Sequence, residues 1–105
     1  MYLLNQLSLQ LAESLFLAAG RFRTGQQLVG PKNGLNTIFY VPGGEHYTHN
    51  LPFFSISVLL NGQRLTLLDD YIVLESLGSG TGYDAIVLTE APFSDDHLLG
   101  DYLIP

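Results

Sequence analysis

From Asn36 onward the chain is cut by turn chemistry every few residues, and no apolar run between the cuts exceeds eight residues. That spacing excludes long helices and large α/β units, and it is the pattern of a small antiparallel sandwich or barrel. The runs are Thr37 to Val41, Phe53 to Leu60, Gln63 to Leu67, Tyr71 to Ser76, Ala85 to Thr89 and His97 to Ile104. The sharpest cut is Asn61-Gly62, between SISVLL and QRLTL. A two-residue hairpin turn of type I′ needs positive φ at both central residues, which Asn and Gly tolerate best, so these runs are expected to pair. Asp69-Asp70 makes the next corner, because Asp side chains bond nearby backbone. Ala91-Pro92 ends the fifth run, because proline cannot donate to a ladder.

The first 35 residues read differently. Leu4, Leu7, Leu11, Leu15, Ala18 and Phe22 recur at spacings of three and four, the stripe of an amphipathic helix, with Asn5 as N-cap and Gly20 as a stop. Leu7, Leu9 and Leu11 also alternate with Ser8 and Gln10, so an extended arm is the alternative. Leucine and alanine without β-branched residues favour the helix. The connector Arg21 to Gly34 has three glycines and one proline and too little periodicity for a regular element. The expected organisation is thus an apolar docking segment over residues 1–24, a connector over 25–35 and a mainly β, antiparallel sandwich over 36–105.

Composition decides what such a domain does with its surface. Of 105 residues 47% are apolar and 13% charged, against roughly 25% charged in an average soluble domain. A core this small cannot take in so much apolar area, and what is left outside marks contacts with other chains. A homo-oligomeric subunit is therefore expected, with Leu4, Leu7, Leu11, Leu15, Arg21, Phe22 and Arg23 as its interface. No cysteine is present, so neither disulfides nor thiolate metal sites can staple the fold. The net charge is −6 with four basic residues, which leaves no basic stripe for direct nucleic-acid binding. The charge is uneven: residues 1–35 hold three cations and one acid, residues 36–105 one cation and nine acids. Met1 to Ala19 is interrupted by Asn5, Gln6, Gln10 and Glu13 and has no basic start, so neither membrane insertion nor a signal peptide is expected.

Three segments are candidates for chemistry. GSGTGYD, Gly78 to Asp84, resembles a phosphate loop in composition, but β-branched AIVLT follows it where a helix N-terminus would be needed, and no Gly-Lys-Ser/Thr is present. It reads as a hairpin loop. GGEHYTHN holds Glu45, His46, Tyr47 and His49, which form a possible ligand loop. Two histidines three apart beside one carboxylate are a loose signal, since zinc needs three or four converging ligands with support behind them, so a solvated turn is expected there and no metal or other cofactor. Asp95, Asp96, His97 and Asp101 lack the register of a calcium loop. There is no GxSxG elbow and no nucleophilic cysteine, and the chain is expected not to be an enzyme.

The order Asn36 and Phe39, aromatics around Phe53, VLLNGQRLTLLDDY, a glycine turn, an I-V-L strand, Ala91-Pro92, Asp95 and a closing Leu98 to Tyr102 resembles the small β-sandwich modules of tailed-bacteriophage virions. The resemblance covers about residues 33–102. It implies a structural part of the virion, in an adaptor, decoration or joint position, with other virion proteins as partners. The alternative expectation is a receptor- or glycan-binding module that stacks sugars on Tyr40, Tyr47, Phe53 or Phe54.

Overall fold

The computed structural model describes residues 21–52 and 54–105. The helix or arm expected at the N-terminus, with Leu4, Leu7, Leu11 and Leu15, lies outside the described residues. Within them the chain is mainly β, with seven strands in two antiparallel sheets. The strands are β1 (Phe22–Gln27), β2 (Ile38–Tyr40), β3 (Ser57–Leu60), β4 (Gln63–Arg64), β5 (Tyr71–Leu74), β6 (Ala85–Leu88) and β7 (Leu98–Leu103). The first sheet has the order β1-β7-β3-β4 and the second β2-β6-β5. No helix among the described residues is long and apolar enough to cross a membrane.

Asn61 and Gly62 adopt φ of 51° and 82° and join β3 to β4 with Leu60 opposite Gln63, as the turn chemistry requires. At the next corner Asp70 accepts the Thr66 N–H on its carboxylate at 2.7 Å and returns its own N–H to the Thr66 carbonyl at 2.8 Å.

One expectation is corrected. The stretch from Arg21 to Gly34 is not without a regular element, because β1 runs through it and pairs with β7 from Phe22 opposite Leu103 to Gln27 opposite Leu99. The division at residue 24 therefore cuts across a strand. Periodicity fails here for a physical reason: the register shifts between Arg23 and Gln26, and Gly25 sits at φ 61° in the bulge with its N–H on Asp101 Oδ1 at 2.6 Å. A bulge breaks the alternation of a strand, and bulges and polar residues are what keep an edge strand from recruiting neighbours.

The core lies between the sheets. Val58, Leu98 and Tyr102 of the first sheet pack with Phe39, Tyr71, Ile86 and Leu88 of the second in one buried cluster. The Tyr71 hydroxyl crosses between them, donating to the Ile56 carbonyl at 2.8 Å. Gly100 in β7 leaves room for this packing, since a Cβ there would stand 3.1 Å from Leu28 and 3.2 Å from Ile56. The chain changes sheets at Leu28-Val29: Leu28 still bonds to Leu98, while Val29 exchanges two backbone hydrogen bonds with Tyr40 at 2.7 and 2.9 Å.

Candidate interaction surface

In the segment Gly43 to Asn50 the side chains of Glu45, Tyr47 and His49 are engaged within the fold, and Gly43 to His46 line a groove of about 390 Å³ beside Val29, Tyr40 and Leu77. Glu45 is bound from two sides, by Arg23 Nε at 3.1 Å and by the Tyr102 hydroxyl at 3.0 Å. Burial, and then that bond to Glu45, pushes the Tyr102 phenol up to about 12. Tyr47 is a core residue whose hydroxyl donates to the Ala85 carbonyl at 2.5 Å, and burial raises its pKa well above the ordinary tyrosine range. Its ring is therefore not offered to a sugar. His49 shares a hydrogen bond with Ser55 and meets Tyr83 edge-on, whereas the Nδ1 of His46 is buried without a partner beneath Gly82. Among the described residues no three His, Asp or Glu side chains come together to hold a metal ion.

The glycine loop already holds an anion of its own. The N–H groups of Gly80 and Gly82 both donate to Glu75 Oε2 at 2.9 Å, so the carboxylate at the end of β5 fills the concavity that a phosphate would enter. Ser76 binds Asp84 through both its N–H and its hydroxyl, which fastens the loop across its base. Strand β6 follows, not a helix. Two carboxylates of the acidic group near the C-terminus are likewise committed to the fold's own turns. Asp96 takes the Asn61 amide at 2.9 Å and the Phe93 N–H at 2.8 Å, which hold its carboxyl below the usual range, while Asp101 caps the β1 bulge.

What remains unaccounted for is apolar surface, and one continuous part of it lies on the second sheet, while Phe22, Leu35, Leu51, Phe54, Leu68 and Phe93 are exposed elsewhere. Directly opposed residues on antiparallel strands share a face, so the register assigns every outward position. On the first sheet the outer face is mixed, with Gln27 beside Leu99, Ser57 beside Asp101 and Arg64 beside Leu59. On the second it is not. Ile38, Val87 and Ile72 form one outward row across β2, β6 and β5, and Tyr40, Ala85 and Leu74 form the next. All six positions are apolar. Val29 joins the second row through its pairing with Tyr40. Ala85 is buried, but Val29 is 53%, Ile38 38%, Tyr40 42% and Ile72 46% exposed, and Leu77 lines the same rim beside Val29 and Tyr40. A solvated sheet face ordinarily alternates with polar residues, so a face without one is built for contact.

A second apolar groove, of about 390 Å³, opens between Phe22, Leu51, Phe54 and Leu103, but Arg64, Ser57 and Asp101 also line it. Of the residues expected to form the interface, Phe22 and Arg21 are exposed, while Arg23 is engaged with Glu45. The sheet face itself was not among the interface expectations, although its signal is in the sequence: YIVL and AIVL carry no polar residue at alternate positions. Comparison with protein-family models, curated proteins and solved structures returns no match for this chain.

Proposed function

We propose that this chain is a non-enzymatic structural subunit that works by packing against other protein subunits in a symmetric assembly. The uncharged outer face of the second sheet, with Ile38, Tyr40, Ile72, Leu74 and Val87, carries the reading. An apolar area this continuous is costly to leave in water, and covering it stabilises an association by about 25 cal/mol for each Å² removed from solvent. The candidate chemistry elsewhere is consistent with this, since Glu45, Glu75, Asp96 and Asp101 all hold the fold's own donors. The virion of a tailed phage is the setting proposed, with other virion proteins as further partners; its support is the resemblance carried by residues 33–102. Native mass spectrometry of the full chain, with electron microscopy of the particles formed, tests the reading. A closed oligomer of defined copy number is expected, and a single copy at every concentration overturns it.

A further inference from the structure

We propose that the occupant of this face is a second copy of the same chain, packed sheet against sheet about a two-fold axis near Val87. The proposal rests on the reading of the chain as an assembly subunit and names which surface meets which.

Three observations lead to it. The first is symmetry. Val87 lies on the central strand of the second sheet, in register with Ile38 on one side and Ile72 on the other, so the outward row is centred on it. A two-fold contact needs a surface that is complementary to itself, and an uncharged row centred on one residue can meet its own copy across such an axis. The inner faces of the two sheets already pack against each other through one apolar cluster.

The second is charge. Each copy carries −6, yet none of the six outward positions on the sheet is ionisable except the phenol of Tyr40. Ions stand only at its rim, where Glu45 and Asp84 line the edge beside Val29, Tyr40 and Leu77 and hold the fold's own donors, so an identical copy brings no like charge into the centre of the contact. Repulsion between the acidic bodies then acts only at longer range, where salt screens it.

The third is area. The exposures of Val29, Ile38, Tyr40, Ile72 and Leu77, with the partly exposed Leu74 and Val87, leave on the order of 500 Å² on each copy. A pair would bury about 1,000 Å², the lower bound for a specific interface, and its association is therefore reversible and concentration-dependent.

The absence of cysteine makes the test direct, because a single introduced thiol can be joined only to its counterpart in another copy. Facing sheets stand about 10 Å apart, too far for a disulfide, so a short bis-maleimide is the reagent. The full chain carrying Val87→Cys is treated with it beside Gln27→Cys, which places the thiol on the outer face of the other sheet. The expected result is a covalent dimer from Val87→Cys at least ten times faster than from Gln27→Cys, and its loss when Ile72→Asp is added. Sedimentation of the unmodified chain should show the pair tightening as salt rises from about 0.05 to about 0.5 M, as screened like charges require. Oligomers that cross-link through Gln27→Cys but not Val87→Cys overturn the proposal and leave the assembly reading standing. Weakening by salt does the same, since it assigns the contact to ion pairs. A single-copy chain whose thiol at position 87 is unreactive means that the face is covered from within the chain, and overturns both.

Discussion

Ile72 and Val73 are neighbours on β5 that point to opposite faces, so replacing each with aspartate separates association from folding. Val73 packs against the core cluster on the inner side, in register with the buried Ile86. A carboxylate there loses its hydration without gaining a partner, a loss of several kcal/mol against a total stability of about 5 to 15. Ile72 is already 46% exposed, so Ile72→Asp gives up only part of the 1.5 to 3 kcal/mol of a fully buried side chain, about 1 kcal/mol of folding stability. Its effect on pairing is larger. Roughly 90 Å² of apolar surface per copy at about 25 cal/mol/Å² is about 2 kcal/mol, met twice in a symmetric pair. The dissociation constant should rise by about three orders of magnitude. Urea unfolding at low concentration reads the first effect and sedimentation equilibrium the second. If Ile72→Asp associates as well as the unmodified chain, or unfolds as readily as Val73→Asp, the assignment of the two faces is refuted.

Other outcomes follow from the packing. Gly30→Ala would set a Cβ 2.8 Å from the Phe39 ring and 2.9 Å from the Ile38 carbonyl, so a loss of about 1 to 3 kcal/mol is expected in thermal unfolding, and an unchanged midpoint contradicts it. Glu75→Ala removes the acceptor shared by Gly80 and Gly82, and amide exchange at those two residues should accelerate at least tenfold while β6 stays protected. Tyr47, Tyr71 and Tyr102 have phenols raised by burial, Tyr102 to about 12. Their folded state holds its protons more tightly than the unfolded chain, whose tyrosines titrate near 10, so stability is intact below about pH 10 and drains as pH rises from there towards 12. Phenolate absorbance should accordingly show these three tyrosines titrating late, together with loss of the native signal.

The strands that were legible in the sequence are those bounded by a turn with its own chemistry. Asn61-Gly62 and Asp69-Asp70 fix the backbone locally, so the hairpin and the next corner need no knowledge of the rest of the chain. β1 was not legible because its stabilisation is remote: FRTGQQ has no alternation of its own and becomes a strand by pairing with residues some 75 positions later. The glycine loop could be read as a turn from the strand after it, but not that Glu75 would fill it, since that depends on how the loop folds back. The apolar sheet face was present in the composition as an excess of apolar residues. Locating it required register, because only the pairing of β2, β6 and β5 separates the outward I-V-I row from the inward one.

The central claim is that the outer face of the second sheet lies against its own copy, and isotope-filtered NMR on a mixture of labelled and unlabelled full chain tests it most directly. Intermolecular contacts among the methyl groups of Ile38, Ile72 and Val87 are the predicted result. Their absence, with intermolecular contacts instead at Leu59 and Leu99 on the first sheet, would contradict it.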